Sequence, residues 1–185
     1  MEALEALPEQ APEAPSPERL LQMGVGFWAS KVLFAAVKLE LFSVLGRESL
    51  SAEQLQGRLG LHPRGTLDFL DALVSLGILS RKDGAYSNTQ ETAAFLDKRS
   101  PAYLGDTFLM SNERLWEYWG RLEDALRTGR PQNETRDQET WSLAVLYKDP
   151  KRRDLFLKAM IGLSSPCPRT CASAPPCCGR ATPGP

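Results

Sequence analysis

LSAEQLQGRLGLHPRGTLDFLDALVSLGILSRKDGAYSNT, residues Leu50 to Thr89, changes its hydrophobic period along its length, and that change sets the fold. Ser51 can accept the amide of Gln54 while Gln54 reaches back to the Ser51 amide, a reciprocal pair that opens a helix. Ala52, Leu55 and Leu59 then share a face, and Gly60 supplies the left-handed stop. Pro63 pre-sets the first turn of a second helix, along which Leu67, Leu70, Val74 and Gly77 recur with Leu73 and Ile78 beside them. Asp68, Asp71 and Ser75 are left facing outward. After Leu79 the period shortens. Asp83-Gly84 is the pair a two-residue hairpin turn demands, since both central residues take positive φ, so Leu79 to Lys82 and Ala85 to Asn88 are expected as short strands. Helix, turn, helix and hairpin in this order form a winged-helix unit.

A winged helix can lay its second helix in a DNA major groove, which makes a DNA-binding transcription regulator the alternative function. Charge weighs against it. The outward face of that helix sets Asp68 and Asp71 against Arg64 alone, whereas a DNA-binding face neutralises phosphates with lysine and arginine.

With 185 residues, 42% of them apolar, the chain has room for one domain with a substantial core. A net charge of -1 gives no reason to expect nucleic acid or an anionic membrane as partner. No basic segment followed by an apolar run opens the chain, so no secretory signal is expected. All four cysteines, Cys167, Cys171, Cys177 and Cys178, fall within the last 22 residues, and a cysteine-free body suits a reducing, cytoplasmic setting. Their spacing matches no standard zinc pattern, and the one histidine, His62, sits in the winged unit. No metal site is expected.

Met1 to Pro15 holds four glutamates and three prolines without an aromatic residue, the composition of a disordered leader. Ser16-Pro17-Glu18 then starts a long helical region that glycines interrupt near Gly24 and Gly26. From Val25 to Leu45 it is apolar almost all round. Its 21 residues would span a bilayer, but Lys31, Lys38 and Glu40 sit inside it. Each such charge near a membrane centre costs about 2.5–3.5 kcal/mol, so burial against a second subunit is the expected alternative. Gly24-Val25-Gly26-Phe27-Trp28-Ala29 matches the G-x-G-x-x-A dinucleotide fingerprint but comes after helical residues instead of a strand, so it is expected to bind nothing.

After the hairpin, Thr89 caps a short helix through Phe95-Leu96 that Ser100-Pro101 breaks. A longer helix is expected from about Asp106 to Thr128, with Phe108, Leu115, Trp116, Trp119, Leu122 and Leu126 on one stripe and Gly129 ending it. Arg130 to Asp137 reads as a polar loop and Trp141 to Tyr147 as a helix. Asp149-Pro150 starts the last helix, with Leu155, Phe156, Ala159, Met160 and Leu163 facing one way. From Ser164 six prolines and the four cysteines, without periodicity, make a disordered tail.

Taken together, FWASKVLFAAVKLELFSVL (Phe27–Leu45), DGAYSNTQETAAFL (Asp83–Leu96), YWGRLEDALRTGRP (Tyr118–Pro131) and YKDPKRRDLFLKAM (Tyr147–Met160) resemble a known pattern. It is the N-terminal dimerisation domain of S-adenosylmethionine-dependent O-methyltransferases of the plant and acetylserotonin type. The resemblance runs from Leu20 to Leu163 and implies a mainly α fold. That fold is a winged helix-turn-helix dimerisation domain with additional helices and one small β-hairpin, residues 16–163, between the leader (1–15) and the tail (164–185). It implies an intertwined homodimer, or a heterodimer with a full-length relative, without DNA or membrane. Val32, Leu33, Phe34, Val37 and Leu41 are expected at the interface. Met110, Trp116, Tyr147, Phe156 and Met160 match positions where the family packs an aromatic acceptor, and Phe27 matches the region that reaches into the partner's pocket.

Beyond Met160 the pattern is lost: the chain continues with neither the family's D-x-G-G-G-x-G methyl-donor loop nor its general-base histidine. Methyl transfer needs the sulfonium methyl held in line with a deprotonating hydroxyl. The expectation is therefore a truncated chain with no catalytic residue, binding no cofactor itself and inactive alone, while intact homologues use S-adenosylmethionine.

Overall fold

The computed structural model describes residues 15–133 and 147–164. The expected leader up to residue 14, the helix from Trp141 up to residue 146 and the cysteine-bearing tail beyond Ser164 lie outside them. The described residues are mainly helical, with one small three-stranded sheet.

Helix α1 (Glu18–Val25) runs straight into α2 (Phe27–Lys38), because Gly26 keeps helical angles, φ -56 and ψ -24. The expected interruption at the glycines is slight. The chain turns instead at Glu40, a non-glycine residue at φ 58, whose carbonyl receives the amides of Ser43 and Val44 and so starts α3 (Leu41–Leu45). Its carboxylate meets Lys98 Nζ at 2.5 Å, a contact from 58 residues further along the chain that local sequence does not announce.

Strand β1 (Leu50–Ser51) leads into α4 (Ala52–Leu59), and the reciprocal cap is present: Gln54 N to Ser51 Oγ at 3.3 Å and Ser51 N to Gln54 Oε1 at 2.8 Å. Gly60 ends α4 at φ 63, and Pro63 opens α5 (Pro63–Ser75). The buried face of α5 is Thr66, Leu70 and Leu73, while Leu67 lies exposed, one step off the face expected for it.

Asp83 and Gly84 both take positive φ, 50 and 79, and join β2 (Leu79–Lys82) to β3 (Ala85–Asn88) with Lys82 opposite Ala85. The single hairpin expected from sequence is in fact a three-stranded antiparallel sheet, order β1-β3-β2, since Leu50 and Ser51 pair with Tyr86 and Ala85. Two residues are too few to carry a detectable period. Asp71 is not idle on its surface. The fully buried Tyr86 donates its hydroxyl to Asp71 at 2.7 Å, and Arg81 pairs with the same carboxylate at 2.9 Å, fastening the hairpin to α5.

Thr89 caps α6 (Gln90–Phe95). The expected single helix from Asp106 to Thr128 is four pieces: α7 (Gly105–Met110), a π-helical turn (Ser111–Leu115), α8 (Trp116–Trp119) and α9 (Leu122–Thr128). A bend at Gly120-Arg121 separates the last two, and Gly129 ends α9 at φ 66.

Helix α10 (Pro150–Ser164) is opened by the Asp149 carboxylate, which accepts the Lys151 amide at 2.9 Å. It lies antiparallel on α7, Gly162 against Tyr103 and Ala159 against Thr107, whose Oγ1 donates to the Ala159 carbonyl at 3.3 Å. Leu163, expected on the covered face, is exposed, and Gly162 takes the covered place. A Cβ at Gly162 would lie 3.2 Å from the Tyr103 carbonyl. Gly162→Ala is expected to be near neutral, because a helix gains about 1 kcal/mol from the change. Gly162→Leu should cost about 1–3 kcal/mol by overpacking. Thermal melts of the two variants check this, and equal melting points would mean that α10 does not press on α7.

Candidate dimerisation face

Lys31 and Lys38 stand seven residues apart on α2, two helical turns, and so project from one side. Both meet the π-helical turn. Lys31 Nζ donates to Asn112 Oδ1 at 2.8 Å and lies 3.8 Å above the Trp116 ring centroid, while Lys38 pairs with Glu113 at 3.0 Å. The extra residue of a π-turn shifts the helical phase of the residues after it, and here the turn presents Asn112 and Glu113 to the two ammonium groups. Phe34, between them on α2, packs on Phe108 and on Trp116, each at 6.2 Å between centroids. The polar residues of this apolar helix thus lock its C-terminal half onto α7 and α8.

The N-terminal half has no such cover. Leu20, Leu21, Met23, Phe27 and Trp28 are 48–74% exposed, and Phe27 meets the edge of Trp28 at 5.8 Å. Contiguous apolar surface of this kind on a folded chain marks an interaction site. By length and composition the run Glu18–Lys38, 21 residues, could cross a membrane, and only 11% of its most apolar window is buried in the chain.

The residues expected at the interface divide along this line. Val32, Leu33 and Phe34 are half-buried at the margin of the open face. Val37 and Leu41, 3% and 0% exposed, lie inside the protomer's own core beside Phe42 and Leu45, so they have no surface left for a partner. The open surface lies N-terminal to them, at Leu20 to Trp28. A helix apolar on every side reveals that it will be covered, but not which part its own chain covers.

Of the expected acceptor wall, Met110 is buried at the end of α7, and Trp116 begins α8 with its ring under Lys31. Phe156 is half-buried on α10, 5.8 Å from the Arg114 guanidinium, and Met160 is half-buried one turn further on. Tyr147 is exposed ahead of α10, and Phe27 lies on the open arm. Antiparallel packing of α7 and α10 brings Met110 and Phe156 to one side of the molecule, while Phe27 stands on the exposed arm, where a residue expected to reach a partner would have to be. Sequence reasoning missed Asn112 and Glu113, although two lysines at a seven-residue interval in an apolar helix already called for partners.

No strand among the described residues turns through glycines onto a helix N-terminus, the arrangement that a dinucleotide fingerprint requires. Gly24 and Gly26 lie within helical backbone. A cleft of about 740 Å³ beside α3 and α6 is lined by Arg47, Glu48, Asp97 and Arg99, and holds none of the expected acceptor-wall residues. Hydrogen bonds from Arg99 keep the Asp97 carboxyl below the usual carboxylate range. Among the described residues, no three metal-binding side chains converge.

A helical unit that keeps a broad apolar face outside its own core belongs to the class of association modules. Residues 21–98 match the O-methyltransferase dimerisation domain. The chain is 39% identical over 145 residues to the tetracenomycin polyketide synthesis 8-O-methyl transferase TcmO of Streptomyces glaucescens, covering 78% of this chain and 42% of that protein. It is 32% identical over 150 residues to acetylserotonin O-methyltransferase of Mus musculus, covering 76% and 38%. The crystal structure of human N-acetylserotonin methyltransferase in complex with SAM superposes with a TM-score of 0.69 at 27% identity, covering 83% of this chain and 47% of that one. The chain belongs to the O-methyltransferase family and carries its dimerisation domain. It spans only 42% and 38% of the length of the two curated relatives.

Proposed function

We propose that residues 16–163 are a winged-helix homodimerisation module of an S-adenosylmethionine-dependent O-methyltransferase that acts on a small aromatic hydroxyl. The open apolar face from Leu20 to Trp28, within a chain matching a dimerisation domain, carries this reading. Two copies would cover each other's arms, and a heterodimer with a longer relative would use the same face. Met110, Trp116, Tyr147, Phe156 and Met160 are assigned to the acceptor wall, and Phe27 to the region that reaches into the partner's pocket. Residues 1–185 taken alone hold neither a glycine-rich methyl-donor loop nor a histidine beyond His62, so they are expected to transfer no methyl group.

Light scattering on the eluting protein tests association: a dimer mass is expected, and a monomer at tens of micromolar overturns the proposal. Calorimetry with S-adenosylmethionine is expected to give no saturable heat; saturable binding would refute the assignment of inactivity to this stretch. The hairpin's Arg81 is occupied by Asp71, so no salt-dependent shift of duplex DNA is expected. The two lysines bound to the π-turn favour a water-exposed, cytoplasmic module over a membrane span. Flotation with lipid vesicles would contradict that.

A further inference from the structure

We infer that the cleft beside α3 and α6 binds a small organic carboxylate, because two arginines with unused donors line it together with apolar side chains. This goes beyond the dimerisation reading and involves none of the residues assigned to the acceptor wall or the open arm.

Arg99 is held in place before any ligand arrives. Its Nε and Nη2 donate to the two oxygens of Asp97 at 3.0 and 2.9 Å, and Nη2 donates again to the Ser43 carbonyl at 3.0 Å. Those bonds use the Nε hydrogen and both hydrogens of Nη2, and leave both hydrogens of Nη1 without a partner among the described residues. Gly46 makes room for the group. It stands at φ 54, and a Cβ there would collide with Nη2 and lie 3.3 Å from Nη1.

Arg47, the next residue along, is exposed, and its guanidinium makes no hydrogen bond or ion pair among the described residues. Both arginines line the same cleft of about 740 Å³, a volume within the range of small-molecule sites. The acids beside them are already engaged, Asp97 by Arg99 and Glu48 by Arg58 at 2.9 Å. One positive charge, that of Arg47, is therefore left over, which suits a monoanion better than a doubly charged phosphate ester. A carboxylate can take one oxygen to Arg99 Nη1 and the other to Arg47, in charge-assisted bonds that guanidinium groups form readily. Val44, Ala93, Ala94 and Pro101, also on the cleft wall, would cover its hydrocarbon part.

Benzoate, benzamide and phenyl phosphate, which share a ring and are singly charged, neutral and doubly charged, are the probes. Two-dimensional NMR of the full chain at fixed ionic strength tracks the Arg99 Nε–H and the backbone amides of Gly46, Arg47 and Ala94 during each titration. Benzoate is expected to shift these signals saturably and to bind about tenfold more tightly than benzamide, the discrimination that a hydrogen bond to a charged group gives. Phenyl phosphate should bind less tightly than benzoate. Arg47→Gln removes no side-chain bond within the described residues, so the variant should fold as the unmodified chain does and lose most of the preference for benzoate. Equal affinities for benzoate and benzamide, tighter binding of phenyl phosphate, no saturable shift, or a preference unchanged in Arg47→Gln would each overturn the assignment.

Discussion

Tyr86→Ala is expected to remove about 3–5 kcal/mol of stability, enough to unfold much of the population of a domain this size. Its side chain is fully buried among α3, α5 and the sheet, and pairs through its backbone with Leu50 and Arg81. Removing the ring opens a cavity where all three layers meet. Tyr86→Phe keeps the ring and loses only the hydroxyl, leaving Asp71 to Arg81 alone, and should cost about 1–3 kcal/mol. A urea series on the three proteins separates the two contributions, and similar losses for both variants would place the effect in the hydrogen bond.

The same residue predicts an alkaline limit. Burial, then the hydrogen bond and negative charge of Asp71, push the Tyr86 phenol up to about 12. An unfolded tyrosine titrates near 10. Between these values the unfolded chain has released a proton that the folded chain still holds, so stability is intact below about pH 10 and falls as pH rises through about 12. Tyr103, also raised to about 12, chiefly by burial and then by Asp106 and Glu40, adds to the decline. Urea midpoints between pH 9 and 12 should therefore decrease, with a shallower slope in Tyr86→Phe. An unchanged slope would mean that Tyr86 ionises as freely folded as unfolded.

Short-range chemistry was legible in the sequence. The Ser51–Gln54 cap, the Gly60 and Gly129 stops, Pro63 and the Asp83-Gly84 turn each depend on neighbours within a few residues, and each stands where the sequence put it. The departures depend on distant partners. Glu40 turns the chain against Lys98, the π-turn presents Asn112 and Glu113 to α2, and Asp71 faces outward on its helix yet serves a tyrosine fifteen residues away. Of the candidate site, the residue types were legible but their sides were not. Periodicity cannot tell a stripe covered by its own chain from one left for another, so Val37 and Leu41 were grouped with the open face they do not join.

That division dictates how the proposed dimer should be broken. A charge at Val37 or Leu41 would enter the protomer's core and unfold it, and loss of the dimer would then say nothing about the interface. Leu21 and Trp28 are 61% and 62% exposed, so Leu21→Asp with Trp28→Asp should leave the protomer folded, with its circular dichroism and melting profile nearly unchanged. Anchoring side chains at the centre of an interface each contribute about 2 kcal/mol or more. Two of them replaced by carboxylates that must shed water on docking should weaken association by about a thousandfold or more. In sedimentation equilibrium the double variant is expected as a folded monomer at concentrations where the unmodified chain is dimeric. A folded double variant that still dimerises would move the interface off the arm, to another uncovered stripe such as Trp119, Leu122 and Leu126 on α8 and α9 or Leu157 and Ile161 on α10.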